Sequence, residues 1–277
     1  MSGTLYLVGT PIGNLRDITE RQLEILDSVS FIAAEDTRVT RKLLAHFDLH
    51  TTLVSYHEHS PESVISQIVT RLLAGENCAC VTDAGMPCIS DPGALLVQRC
   101  IEENITIQVV PGPSAVVSAL AISGQDTTRF CFEGFLSVTK KQRFAHLESL
   151  KHERRTMVFY EAPHKLLNTL RDMLETFGDR SVSLCRELTK IHEEVRKTTL
   201  SEAVAYYTEH VPRGEFVLVV AGALQDAEDE KPSLESVIAL AKARIQDGER
   251  AADVCRSLAA ETGYAKREIY QAVTSDA

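Results

Sequence analysis

The stretch CACVTDAGMPCISDPG, Cys78 to Gly93, followed after a helix-like segment by IQVVPGPSA, Ile107 to Ala115, decides the reading of the chain. An apolar, strand-like run from Cys78 to Val81 stops at Thr82, Asp83, Ala84, Gly85, Met86 and Pro87. Glycine and proline at that density forbid a helix and turn the main chain. A second run, Ile107 to Val110, stops in the same way at Pro111, Gly112 and Pro113, and Ser114 is placed to cap the next helix. In open α/β sheets, ligands bind beyond the carboxyl ends of the strands, where such loops lie. Two adjacent strands ending in small, rigid loops predict a cleft that admits a flat ligand against exposed backbone.

Outward from this stretch, the same grammar repeats towards the N-terminus. Leu5 to Val8 reads as a short buried strand, followed by the loop Gly9 to Asn14. Thr19 caps a helix in which Leu23, Leu26 and Val29 recur at helical spacing. Phe31 to Ala34 is the next strand, ending in Glu35-Asp36-Thr37-Arg38, and a helix with Leu43, Leu44 and Phe47 follows. Thr52 to Ser55 is a third strand, and Pro61 opens a helix running to Ala74. Strand, loop and helix repeat, with runs apolar enough for burial on both faces. That pattern predicts a parallel sheet covered by helices.

Thr127 to Leu136 reads as the crossover into a second domain, with strands at Thr156–Tyr160, Val182–Cys185 and Phe216–Val220. Its connections are irregular in length, which favours a mixed sheet. An acidic run at Asp226, Glu228, Asp229 and Glu230 reads as a linker. Three helical segments follow, near 233–246, 251–261 and 266–273, in a helix-turn-helix outline that any small bundle would share. The expected organisation is α/β, with domains at 1–126, 127–224 and 225–277.

Composition bounds the function. The 277 residues are 44% hydrophobic and 25% charged, the balance of a globular protein. No apolar run approaches the roughly 20 residues that cross a bilayer. The start, MSGTLYLVGTPIG, reads as a strand and not a signal peptide. Seven cysteines fit neither a disulfide framework nor a zinc pattern, so they are expected to be reduced and mostly in the core. The expected location is cytoplasmic, without membrane or metal. His57-Glu58-His59 is a poor metal pattern, with two histidines on a loop and no further ligands. The net charge of −10 sits awkwardly with a nucleic-acid partner, although bases gather locally at Arg38, Arg41 and Lys42 and at Lys266 and Arg267.

Gly9-Thr10-Pro11-Ile12-Gly13 lacks the spacing of a dinucleotide fingerprint, but its place above the sheet allows ligand contact. Three strand ends carry mixed charge: Glu35 to Arg38, Phe159 to Lys165, and Cys185 to Lys190. Each alone is as consistent with a cap or a surface ion pair. Three in one chain are better explained by a shared cleft.

These residues carry a resemblance. LYLVGTPIGNLRDIT from Leu5, AEDTRVTRKLLAHF from Ala34, TDAGMPCISDPG from Thr82, VVPGPSA from Val109, FEGFL from Phe132, FYEAPHKLL from Phe159, RELTK from Arg186 and GEFVLVV from Gly214 closely resemble one bacterial family. It is that of the small-subunit ribosomal RNA 2′-O-ribose cytidine methyltransferases, which have the tetrapyrrole methylase fold. AEDTR and DAGMP–SDPG are specific to the group, whereas PGPSA is common to the wider fold. The resemblance implies two α/β domains with S-adenosyl-L-methionine in the cleft between them, a small C-terminal helical segment, a homodimer, and small-subunit ribosomal RNA or the subunit itself as partner.

It also implies a cofactor set of Pro11, Asp83, Ala84, Gly85, Met86, Ile89, Ser114, Ala115, Tyr160 and Glu161. Small-molecule members have Gly-Gly-Asp where this chain has Ala84-Gly85-Met86, and Asp83 is the nearest replacement for the missing acid. Asp36 and Glu187 are the candidate bases. Arg38 and Lys190 are candidates for contacting phosphate or lowering the hydroxyl pKa. Glu35, Arg41, Lys42, Arg186, Lys266 and Arg267 are candidates for contacting RNA. Alternatives on the same fold are a small-molecule methylase of tetrapyrrole type and a non-catalytic RNA-binding assembly factor.

Overall fold

The computed structural model describes residues 2–224 and 233–274. The acidic run expected as a linker lies outside them. The chain forms two compact units, Met1–Ala223 and Leu224–Ala277.

The first unit contains two five-stranded sheets. Strands β1 (Thr4–Val8), β2 (Phe31–Ala34), β3 (Leu53–Ser55), β4 (Cys78–Val81) and β5 (Thr106–Val110) form the first, in the order β3-β2-β4-β1-β5 with every pairing parallel. Helices α1 (Glu20–Ser28), α2 (Thr37–His46), α3 (Glu62–Leu73) and α4 (Ala94–Glu102) connect them. Because successive side chains point to opposite faces of a strand, Phe31, Ala33, Cys78 and Cys80 pack with Ile68 and Leu72 of α3 and Leu96 of α4. Their neighbours Ile32, Ala34, Ala79 and Val81 pack with Leu26 of α1 and Leu44 of α2. Burying each such Leu or Ile contributes about 1.5–3 kcal/mol, and β2 and β4 are buried along their whole length.

Two expectations need correction. β4 and β5 are not neighbours, since β1 runs between them. Burial on both faces also fails for β5, which is the sheet edge and leaves Val109 55% exposed. Its apolar run reads like the interior strands, and only the strand order reveals the difference.

Helix α5 (Ala115–Ser123) starts directly after the Pro111-Gly112-Pro113 turn. It precedes the expected boundary at residue 126 but packs on the second sheet, with Val116, Ala119 and Leu120 against Val158, Cys185, Val217 and Val219. That sheet comprises β6 (Phe130–Phe135), β7 (Thr156–Glu161), β8 (Ser181–Arg186), β9 (Glu194–Thr199) and β10 (Phe216–Val220), ordered β6-β7-β10-β8-β9. β6 and β7 run parallel and the other pairs antiparallel, so the sheet is mixed, as the irregular connections predict. Its other face is covered by α6 (Lys140–Ser149), α7 (Pro163–Phe177) and α8 (Leu200–Glu209), through Leu147, Leu166, Leu170, Met173 and Leu200. The sequence reading missed β9, Glu-Val-Arg-Lys-Thr-Thr, because an edge strand of this polarity carries no apolar signature.

In the second unit, α9 (Leu234–Gln246), α10 (Ala251–Thr262) and α11 (Lys266–Thr274) close around Val237, Ala241, Val254, Cys255, Leu258 and Ile269. Gly263 ends α10 in the left-handed conformation that favours glycine. All seven cysteines are free, five of them buried. No helix is long and apolar enough to cross a membrane among the described residues.

Candidate functional site

The strand order brings three turns together. The β1 turn sits between those of β4 and β5: Gly9 N–H donates to the Val110 carbonyl at 3.1 Å, and Thr10 and Gly85 exchange two backbone hydrogen bonds of 2.9 and 3.1 Å. A Cβ on Gly9 would lie 2.7 Å from the Gly112 Cα, so the two turns meet backbone to backbone. Only glycine permits that approach. Gln22 locks the arrangement by donating from Nε2 to the Gly9 carbonyl at 2.6 Å.

Above these turns lies a cavity of about 450 Å³, inside the range of about 300–1,000 Å³ common for small-molecule sites. Its first wall is Asp83, Ala84, Gly85, Met86 and Ile89 from the β4 turn, with Ser114 and Ala115 at the start of α5. The second sheet supplies Tyr160, Glu161, Leu188 and Lys190. The three mixed-charge strand ends therefore converge, each lending at least one residue. Of the expected cofactor set, only Pro11 lies elsewhere. It lines a smaller cavity of about 270 Å³ with Leu15, Val39 and Lys42.

The residues expected to do chemistry are distributed differently. Asp36 caps α2 by accepting the Arg38 N–H at 2.8 Å, and its carboxylate also takes the Arg38 guanidinium. The Arg38 hydrogen bonds hold its carboxyl down at about 2, a value at which it is a feeble proton acceptor. Neither residue lines the cavity, and Arg41 and Lys42 are exposed on the same helix. Glu187 accepts the Glu215 N–H at 2.9 Å and the Lys190 ammonium at 3.0 Å, and the Glu215 N–H leads the causes that lower its carboxyl pKa. Burial pulls the Lys190 ammonium down, but Glu215 and Glu187 outweigh it and raise its pKa. Arg186 faces Glu194 and the His192 and Arg213 carbonyls instead of the cavity. Lys266 and Arg267 belong to the second unit.

Glu35 does reach the cavity. Its Oε2 accepts the Asp83 N–H at 3.2 Å while Asp83 Oδ1 accepts the Asp36 N–H at 3.1 Å, so the ends of β2 and β4 are clipped together. Burial raises the pKa of both carboxyls, with repulsion from Asp83 adding to it at Glu35 and repulsion from Asp36 adding to it at Asp83. Glu161 is buried with both oxygens engaged, by the Ala162 N–H at 2.8 Å and the Thr169 hydroxyl at 2.5 Å. Tyr160 packs edge-on against Phe132 and tilted against Phe135, and burial pushes its hydroxyl up to about 12.

Sequence reasoning missed several lining residues: Ile12, Phe135, Leu188, Glu215 and Asp91. All five lie in motifs quoted above, but a motif does not reveal which of its side chains faces the cavity. Burial first, then Glu35 and Asp83, push the Asp91 carboxyl up to about 7. The loops bearing Asp91 and Lys190 hold non-glycine residues at positive φ, Cys88 (72°), Ser90 (63°), Glu187 (51°) and Thr189 (65°). Strain of this kind clusters at ligand sites.

Residues 4–204 match the tetrapyrrole (corrin/porphyrin) methylases, and the chain belongs to that family. Among solved structures, the uroporphyrin-III-C-methyltransferase of Thermus thermophilus superposes with a TM-score of 0.56 at 20% identity, covering 78% of this chain and 94% of that one. A cobalt precorrin-4 methyltransferase gives 0.57 at 20%, covering 78% and 94%. Within the family the chain is similar in sequence to proteins named ribosomal RNA small subunit methyltransferase I. The Synechocystis sp. protein is 47% identical over 97% of this chain and 96% of its own length. The proteins of Halalkalibacterium halodurans and Bacillus subtilis are 47% and 43% identical, covering 97% and 98% of this chain and 93% and 94% of their own.

Proposed function

We propose that this chain transfers the methyl group of S-adenosyl-L-methionine to the ribose 2′-hydroxyl of a cytidine in small-subunit ribosomal RNA. The observation that carries the reading is the acid-lined cavity at the joined β1, β4 and β5 turns, in a chain nearly collinear with relatives named ribosomal RNA small subunit methyltransferase I. The residues suit this cofactor. Glu35, Asp83 and Asp91 repel one another there, and a cationic ligand relieves that repulsion. Gly85 and Ala84 leave backbone open to an adenosine or amino-acid moiety, and Tyr160 and Phe135 offer aromatic surface.

When bound, S-adenosylmethionine supplies a methyl group already activated by positively charged sulfur, so the protein's main task is alignment. The strained loops and the Gly9–Gly112 contact fix the cavity walls for that purpose. A 2′-hydroxyl distinguishes RNA from DNA, and a cytidine in folded RNA must be unstacked to enter. Arg38, Arg41 and Lys42 on α2, and Lys266 and Arg267 on α11, are positioned on exposed helix faces to meet phosphates. A homodimer is consistent with α5, whose Val117 and Ile122 remain 58% and 40% exposed on a helix that is apolar on most of its circumference. The enzyme would act in the cytoplasm, where ribosomal subunits are made.

The test is transfer of a labelled methyl group to small-subunit particles and to free RNA, followed by nucleoside analysis. Labelled 2′-O-methylcytidine is expected. Label in no RNA, with donor still bound, overturns the reading in favour of a small-molecule acceptor.

A further inference from the structure

Resting on the function just proposed, we infer that Asp91 is the general base that accepts the 2′-hydroxyl proton during methyl transfer. Asp91 lines the cavity, and no hydrogen bond or ion pair to another described residue engages its carboxylate. The other four carboxylates lining it are engaged: Glu35 by the Asp83 N–H, Asp83 by the Asp36 N–H, Glu161 by the Ala162 N–H and the Thr169 hydroxyl, and Glu215 by the Lys190 ammonium. Asp36 is sequestered by Arg38, and Glu187 by Lys190 and the Glu215 N–H.

The backbone fixes Asp91 in place. Cys88 N–H donates to the Pro92 carbonyl at 3.2 Å, closing a turn in which Cys88 and Ser90 have positive φ. Gly93 follows at φ 137°, where a Cβ would lie 2.6 Å from the Cys88 sulfur. At Cys88 and Ser90, which are not glycines, such conformations are uncommon. Here they orient a carboxylate that makes no structural contact. The charged and titratable groups facing it are Glu35 and Asp83 from the β2 and β4 ends, Cys88 from its own loop, and Tyr160 from the second sheet. The cation that also lines the cavity, Lys190, is held by Glu187 and Glu215, so burial and the neighbouring carboxylates set the Asp91 titration near neutrality.

The step balances. The 2′-oxygen forms a bond to the methyl carbon as the carbon–sulfur bond breaks, sulfur keeps the bonding pair and becomes a neutral thioether, and the hydroxyl proton passes to an Asp91 carboxylate oxygen. One positive and one negative charge are consumed. The carboxylic acid then returns its proton to water.

The experiment compares wild type with Asp91→Asn and Asp91→Glu. Single-turnover transfer at saturating donor and RNA is measured from pH 5.5 to 9, donor affinity is measured by calorimetry, and the Asp91 carboxyl of the donor-free protein is titrated by carbon NMR. The NMR midpoint of the donor-free protein is expected near 7, and the wild-type rate at saturating donor is expected to rise with pH to a plateau with a lower midpoint, because the bound cation favours the ionised carboxylate. Asp91→Asn is expected to weaken donor binding through the lost negative charge and, at saturating donor, to lose about 10²–10⁴-fold in rate together with the pH dependence; Asp91→Glu recovers part of the rate. An Asn variant that transfers within about threefold of wild type overturns the inference. So does a defect confined to donor affinity, which would make Asp91 a donor ligand. A wild type that binds donor but methylates no RNA overturns the parent reading and this one with it.

Discussion

Replacing Asp91 by asparagine should make the protein more stable, and the size of the gain can be worked out. The cavity lifts this carboxyl from an ordinary 3.8 to about 7. At 1.36 kcal/mol per pH unit, holding the ionised form there costs up to about 4 kcal/mol. Asp91 is only half-buried, and solvent screening reduces this to about 2 kcal/mol. Between about pH 4 and pH 7 the folded state binds more protons than the unfolded one, so stability declines as pH rises through that window. Below about pH 4 both states are protonated and the penalty vanishes. Asparagine never ionises and escapes it. Asp91→Asn should therefore gain about 2 kcal/mol at pH 8, shrinking to under about 1 kcal/mol at pH 5. The chain has no tryptophan, so urea unfolding is best followed by far-UV circular dichroism at both pH values. A residue retained for structure would behave in the opposite way. Equal or lower stability of Asp91→Asn at pH 8 would refute the argument that this carboxylate is kept at a stability cost for its chemistry.

Gly112→Ala places a Cβ 2.5 Å from Gln22 Nε2 and 2.9 Å from the Gly9 Cα; about 1–3 kcal/mol of stability should be lost, with weaker donor binding, as read by chemical denaturation and calorimetry. Thr169→Val removes the donor to buried Glu161 and should cost about 1–3 kcal/mol, detectable as a lower urea midpoint at unchanged slope. Val117→Arg should turn a dimer into a monomer, and light scattering checks it; a monomeric wild type would remove the dimer from the proposal. Ile269→Ala should destabilise the helical unit by about 2–5 kcal/mol while leaving donor affinity unchanged, a split that limited proteolysis and calorimetry together would reveal.

The first sheet was legible because its interior strands are short, apolar and punctuated. Phe31–Ala34 and Cys78–Val81 end in polar or glycine-rich turns, and the structure places both as fully buried parallel strands. What the sequence could not convey was lateral order. β1 separates β4 from β5 through pairings such as Leu5 with Cys78 and Leu7 with Val109, and no local pattern encodes which strands are neighbours. Helix α5 was hidden for a related reason, since a helix apolar on most of its circumference does not reveal which sheet it covers. At the site, glycine and proline announced the turns, but the chemistry of each carboxylate depended on its partners. Asp36 looked reactive and is a cap held by Arg38. Asp91, between serine and proline, looked like a turn residue and is the one left free.

The charge distribution resolves the awkwardness of a net charge of −10 in a protein proposed to act on RNA. A cavity lined by Glu35, Asp83 and Asp91 excludes phosphates, which like-charge repulsion in a partly desolvated site makes costly to admit. The same carboxylates attract a sulfonium. The bases stand outside, Arg38 with 83% of its side chain exposed and Arg41 and Lys42 beside it on α2. On the function proposed above, cavity and surface would sort the two reactants by charge, with the cationic donor in the cavity and the RNA backbone at the α2 face. Acidity concentrated at the donor site is therefore compatible with an RNA substrate, provided the nucleotide enters sugar-first and its flanking phosphates remain on the helix face.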